Sequence, residues 1–173
     1  MVVTGNGVIR ILLAEDMRIL REALVELLSF EDDITVVAGV ASGPEIVPAA
    51  LEYRPDVAVI DIDLPGLDGI SAAAELRDLL PGCRVLILTA LTKPGTLRRA
   101  LGAQIAGFVP KDIRPAELAA AIRTVAAGGR VVDPALALVA LEAPDSPLTQ
   151  RETEVLRLRR AGPSPPRSPS GSS

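Results

Sequence analysis

Five side chains able to do chemistry stand at or just beyond the ends of short apolar runs in this 173-residue chain. Glu15 and Asp16 follow Ile9–Leu13. Asp61 follows Val57–Ile60, Thr89 closes Val85–Thr89, and Lys111 follows Gly107–Val109. Three carboxylates brought together repel. At 4 Å and an effective dielectric near 20, each pair costs about 4 kcal/mol. A bound cation resolves that conflict. The chain has no histidine and a single cysteine, Cys83, so the available donors are oxygens. Such a set favours Mg²⁺, which keeps several waters and often binds beside phosphate. A carboxylate held beside Mg²⁺ can act as a nucleophile and become an aspartyl phosphate. Thr89 and Lys111 can then hold phosphoryl oxygens by hydrogen bond and charge. Taken singly, each group has an ordinary reading: a cap, a β-former, a solvated lysine. Five in chain order at corresponding strand ends make coincidence a poor account.

The elements that must position these groups are legible in the same runs. Apolar stretches rich in Val and Ile read as buried strands: Ile9–Leu13, Thr35–Val40, Val57–Ile60, Val85–Thr89 and Gly107–Val109. Their spacing leaves room for a crossover helix each time. Met17, Leu20, Leu24, Leu27 and Leu28 mark one helix face, and Leu118, Ile122 and Val125 mark another. Pro94 and Pro115 sit where helix starts tolerate proline. The pattern is (βα)5, an α/β sandwich with a central, doubly wound parallel sheet. Strands 1, 3 and 4 are its expected centre. All five chemical groups then belong to the C-terminal edge of the sheet, where open α/β folds collect their ligands.

Gly128-Gly129 ends the last helix of this pattern. Arg130-Val131-Val132 reads as a short extended piece, Pro134–Leu141 as a short helix, and Ala143–Pro147 as a joint. Thr149 and Glu152 form a capping box opening a further helix, basic towards its end. From Gly162 the chain is Pro- and Ser-rich and is expected to be disordered.

Composition bounds the function. The chain is 49% apolar with only 2% aromatic residues, so its core must be aliphatic. Net charge is −4, and an acidic chain is a poor nucleic-acid binder as a whole. A lone cysteine excludes a disulfide framework and a cysteine zinc site. No stretch reaches the roughly 20 apolar residues of a membrane span, and no signal-peptide pattern opens the chain. A cytoplasmic protein without membrane contact is the expectation. Cys83, Lys93 and the Arg98-Arg99 pair read as structural or solvated surface.

Several motifs together carry a family likeness: Glu15-Asp16, Asp61 with Pro65 and Gly69 at fixed offsets, Leu88-Thr89-Ala90, and Gly107-Phe108-Val109-Pro110-Lys111-Asp112. With them the chain resembles a two-component response regulator of the NarL/LuxR type, from Ile9 to about Arg160. The resemblance implies a flavodoxin-like receiver with strand order 2-1-3-4-5. It implies Asp61 as phosphoacceptor, with Thr89 and Lys111 assisting. Asp16 would bind Mg²⁺ directly and Glu15 through water, with Asp61 and the backbone carbonyl of Asp63 completing the protein ligands. Thr89 and Phe108 would be the switch hydroxyl and switch aromatic. Pro110 stands where the family more often has Leu. It removes a backbone N–H and makes strand five a place where the chain can differ.

The implied organisation is a receiver over residues 8–128, a linker with a short helix over 129–147, the first helix of a truncated LuxR-type helix-turn-helix over 148–161, and a disordered tail over 162–173. The likeness stops near Gly162, before any recognition helix. Read two nucleotides out of frame, Pro165–Ser173 admits codons for a continuing helix-turn-helix. A frameshifted or truncated longer regulator is therefore one expectation, and a natural short form another. The expected function is a switch rather than an enzyme, with catalysis limited to autophosphorylation from small phosphodonors and autodephosphorylation. Its expected partners are a sensor histidine kinase, a second copy on phosphorylation, and DNA only in a form with an intact helix-turn-helix. The rivals are a stand-alone receiver acting by protein contact and, from Asp61-Ile62-Asp63, a haloacid-dehalogenase-like phosphatase.

Overall fold

Strands form where aliphatic residues run without interruption, and the runs are continuous because both faces of the sheet are covered. A computed structural model describes residues 7–90, 94–103 and 105–142. The element order is β1 (Ile9–Ala14), α1 (Arg18–Ser29), β2 (Ile34–Val40), a 3-10 turn (Gly43–Glu45) leading into α2 (Ile46–Tyr53), β3 (Val57–Asp61) and α3 (Gly69–Leu79). It continues with β4 (Arg84–Thr89), α4 (Pro94–Gly102), β5 (Gly107–Pro110), α5 (Pro115–Ala126), β6 (Val131–Val132) and α6 (Pro134–Glu142). The five expected strands are all present, each within a residue of its expected ends. The sheet runs β2-β1-β3-β4-β5-β6, parallel throughout. The expected order 2-1-3-4-5 holds, and β6 extends it by one short strand.

Alternate residues of each strand enter opposite cores. Leu12, Ala14, Ala58, Ile60, Val85, Ile87 and Phe108 join one cluster, with Ile46, Leu76 and Leu97 from the helices of that side. Ile11, Leu13, Val57, Val59, Leu86, Leu88 and Val109 join the other, with Leu24, Leu28, Leu118, Ile122 and Val125 of α1 and α5. Phe108 is the one buried aromatic residue, while Phe30 and Tyr53 are exposed.

Two residues expected on the buried face of α1 are not there. Met17 is 60% exposed and Leu27 40%. Met17 is the residue before the helix, with φ −73° and ψ 106°, so it lies outside the helical phase. Leu27 stands about 100° around the helix from the buried Leu28, at the margin of the stripe.

Pro110 leaves β5 intact. The N–H of Lys111 donates to the carbonyl of Thr89 at 2.8 Å, so alternate residues Val109 and Lys111 face β4. Pro110 faces the other way, with Phe108, whose carbonyl accepts from Asp133. β6 pairs only with Gly107 and Phe108, so Pro110 sits past its end and the missing N–H breaks no ladder bond. On the far side of the sheet, the β1–β2 pairing slips between Ile11 and Leu12, leaving Val37 without an opposite residue.

Of the segment expected as a linker over 129–147, residues 129–142 are described, and they pack down. β6 pairs with β5, α6 lies against α4 and β5, and Leu136 is buried. All described residues belong to one unit, Met1–Ala143. Among them no helix is long and apolar enough to cross a membrane. The expected helix over 148–161, its capping box, the tail over 162–173 and Lys93 lie outside the described residues.

Candidate functional site

Parallel pairing puts every strand's C-terminal end at one edge, and that edge gathers the carboxylates. Glu15 is the first residue after β1, held by its N–H to the carbonyl of Val40 at 3.1 Å. Asp61 is the last residue of β3 and lies opposite Leu88, one residue before Thr89. Glu15, Asp61 and Thr89 are the buried polar residues of the described chain, while Asp16 is exposed. One carboxylate oxygen from each of Glu15, Asp16 and Asp61 lies within 4.8 Å of the others.

Lys111 closes the cluster. Its Nζ donates to Asp61 Oδ2 at 2.8 Å and lies 2.8 Å from Glu15 Oε2. The second contact is an ion pair without hydrogen-bond alignment, so Oε2 is a buried oxygen with no aligned donor. The other oxygens are better supplied. Met17 N–H donates to Glu15 Oε1 at 3.1 Å, and Asp63 N–H donates to Asp61 Oδ1 at 3.2 Å. The lysine is brought here by its own N–H bond to Thr89.

Three carboxylates against one ammonium leave the cluster anionic. Burial, helped by the charge of Asp61, pushes the Glu15 carboxyl above its usual range against the pull of Lys111 and the Met17 N–H. For Lys111, burial works against the charge, but the hydrogen bond to Asp61 and the close negative charges of Asp61 and Glu15 outweigh it. The ammonium therefore holds its proton more tightly than an ordinary lysine.

The loop after β3 is clamped from two sides. Asp68 caps α3, accepting from Ile70 N–H at 3.1 Å and Ser71 N–H at 3.0 Å. Gly69 begins the helix so close to β3 that a Cβ there would lie 2.1 Å from the carbonyl oxygen of Asp61. Gly66 takes a positive φ of 82°, a conformation glycine adopts without strain. Gly43 packs so tightly on the same loop that a Cβ would meet the carbonyl oxygen of Leu67 at 1.9 Å.

Glu15, Asp61 and Lys111 are thus brought into contact with Asp16 close by, and Thr89 shares their edge. Asp63 contributes its N–H, with its side chain exposed. Phe108 is three residues before Lys111, fully buried on the side of α4. Two supporting residues escaped the sequence reading. Arg21 on α1 donates to the carbonyl of Glu15 at 2.6 Å. Arg99 on α4 pairs with Asp68 at 2.8 Å. Asp68 carried a signal, an Asp ahead of a Gly-Ile-Ser helix start. Arg21 carried none, because an arginine on an amphipathic helix reads as solvated.

The description "Response regulator receiver domain" matches residues 11–123. The chain belongs to the response regulator receiver family. DesR of Bacillus subtilis, a transcriptional regulatory protein, is 43% identical over 150 residues, covering 87% of this chain and 74% of its own. A LuxR-family two-component response regulator from Aurantimonas sp. SI85-9A1 superposes with a TM-score of 0.72 at 34% identity, over 79% of this chain and 97% of its own. The signal receiver domain of NarL from Mycobacterium tuberculosis gives a TM-score of 0.68 at 31% identity, over 70% of this chain and 98% of its own. The likeness read from the motifs is thus to the NarL/LuxR type of receiver, and the relatives are of that type. Transcription regulators, rather than enzymes, are what this receiver resembles.

Proposed function

We propose that this receiver takes a phosphoryl group on Asp61 from a phosphohistidine of a separate sensor histidine kinase. The observation that carries the reading is the buried Asp61 carboxylate, bonded to Lys111 and facing Glu15 and Asp16. An Asp61 carboxylate oxygen attacks phosphorus, the P–N bond to the donor imidazole breaks, and its electron pair returns to the ring nitrogen. Lys111 and the Thr89 hydroxyl then hold the phosphoryl oxygens. Water reverses the modification by hydrolysis of the acyl phosphate. Having no histidine, the chain does not serve as its own phosphohistidine donor.

The donor set fits Mg²⁺. Its atoms are all oxygens, the cluster is anionic, and Glu15 Oε2 is buried with no aligned donor. Asp16 and Asp61 would hold the ion directly, Glu15 through water, and the Asp63 carbonyl would complete the protein ligands. Bound there, Mg²⁺ offsets the charge of the phosphoryl oxygens.

The output is a two-state shift. Thr89 moves towards the phosphoryl group and Phe108 occupies its inward position, favouring a homodimer. A change from 1:99 to 99:1 requires about 5.5 kcal/mol of differential stabilisation. In a form carrying a complete LuxR-type helix-turn-helix over and beyond residues 148–161, the dimer controls transcription by binding paired DNA half-sites. The cytoplasm is the compartment for this chemistry. Incubation with acetyl phosphate and Mg²⁺, followed by intact mass, tests the reading. One phosphoryl group is expected on the wild type and none on Asp61→Asn. Equal uptake by Asp61→Asn overturns it.

A further inference from the structure

Phe108 is linked to α6 by a backbone hydrogen bond and by membership of one apolar cluster. Its backbone carbonyl accepts the N–H of Asp133 at 3.2 Å. Asp133 immediately precedes α6, and its Oδ1 accepts from Ala135 N–H at 2.9 Å while its carbonyl accepts from Ala137 N–H at 3.0 Å. The residue that starts α6 is therefore bonded to Phe108. Leu136, in the first turn of α6, is 3% exposed and belongs to the same apolar cluster as Phe108, Leu97, Ala100 and Ile105. At the other end of β5, Lys111 reaches Asp61 and bonds the carbonyl of Thr89. One four-residue strand thus holds the seat of α6 and leads directly into the lysine that pairs with Asp61.

We infer that α6 is a conformational readout of Asp61, seated while the Phe108 ring fills this cluster and released when the ring leaves it. The inference rests on the proposed roles of Asp61 and Phe108. β6 has two residues, and α6 has nine, too few for a helix to persist in water without packing. Withdrawing the ring opens a cavity in the cluster that holds Leu136, and buried apolar groups beside a cavity lose their contacts. Phosphorylation favours the ring-in state and so orders α6. By linkage, whatever unseats α6 weakens binding of the phosphoryl group or its mimic by the same factor.

Hydrogen–deuterium exchange of the full chain tests this. Without any phosphodonor, Phe108→Ala is expected to speed exchange of the α6 amides at least tenfold, and Phe108→Leu less, with the α1 amides unchanged. Beryllium trifluoride with Mg²⁺ is expected to slow α6 exchange about tenfold in the wild type and not in Phe108→Ala. Should Phe108→Ala fail to fold, Phe108→Leu and Leu136→Ala provide the same comparison. Unaltered α6 exchange in the foldable variants overturns the inference. Beryllium trifluoride that binds, seen in its fluorine resonance, without slowing α6 also overturns it. If it does not bind, the phosphoacceptor reading fails, and the donor-free comparison still decides whether α6 depends on Phe108.

Discussion

Replacing Gly69 with alanine presses directly on the backbone of Asp61. The added Cβ would lie 2.1 Å from the Asp61 carbonyl oxygen, 2.9 Å from its carbonyl carbon and 2.9 Å from Ile60 Cγ2. Non-bonded heavy atoms rest at roughly 3.5 Å, so α3 and β3 must part by about 1 Å. Two of the three atoms met are backbone, and both Ile60 and Asp61 sit in a strand paired on each side, so no flexible side chain can absorb the clash. Overpacking of this kind costs about 1–3 kcal/mol. The gain in helix propensity, at most about 1 kcal/mol, is small here because Gly69 is the first residue of α3. The expected net loss is about 1–2 kcal/mol, a fall in Tm of roughly 3–8 °C for a domain of this size. Gly82 is the control, because a Cβ there meets nothing within 4 Å. Urea unfolding of both variants measures the loss, and the rate of phosphoryl uptake from acetyl phosphate measures the effect on Asp61. Gly69→Ala is expected to be slowed and Gly82→Ala unchanged. A Gly69→Ala protein as stable as Gly82→Ala, with an unaltered rate, would refute the argument.

Lys111→Ala leaves Glu15 and Asp61 buried face to face, and removal of one partner from a buried pair is expected to cost about 3–5 kcal/mol in urea unfolding at pH 7; a loss below about 0.5 kcal/mol would show that the pair is not what holds this edge. Arg123 donates to both oxygens of Asp33 at 2.7 Å and also to Glu31, and its bonds hold the Asp33 carboxyl below its usual value of 3.8. A lowered carboxyl pKa stabilises the fold above the unfolded value, and that contribution is lost as pH falls through the folded one, so Asp33→Asn should flatten the decline of Tm from about pH 4 downward, and an unchanged acid limb would contradict this. Burial raises the Cys83 thiol to about 12, making its thiolate at pH 8 roughly a thousandfold rarer than in an ordinary cysteine. Native protein should resist iodoacetamide until urea unfolds it, whereas rapid labelling of the folded chain would argue against the burial.

The strands were readable because a strand covered on both faces keeps no polar alternation, as in Val57-Ala58-Val59-Ile60. The carboxylates and Lys111 were readable for a related reason, since parallel strands deliver whatever follows each apolar run to one edge. What escaped depended on distance in space rather than on pattern. The bond from Arg21 to the Glu15 carbonyl and the pair between Arg99 and Asp68 join groups whose side chains read as surface until the helices are placed. Met17 misled because the apolar spacing of α1 begins before the helix does. The packing of α6 was invisible too. Its sequence, Pro-Ala-Leu-Ala-Leu-Val-Ala-Leu-Glu, is apolar all round and does not show which face meets α4. The seat is chosen by Asp133 and Leu136, each meeting a residue of β5 or its neighbours.

Pro110 and the unmatched Val37 have a consequence for backbone pairing with other chains. A sheet can recruit another chain by backbone pairing wherever a border strand offers a long flat row of N–H and C=O groups. At one border the last strand has two residues, and the half-buried position beyond it, Pro110, has no N–H to give. At the other, the irregularity at Val37 twists the row out of line. Neither border is a good template for strand addition or for fibril growth.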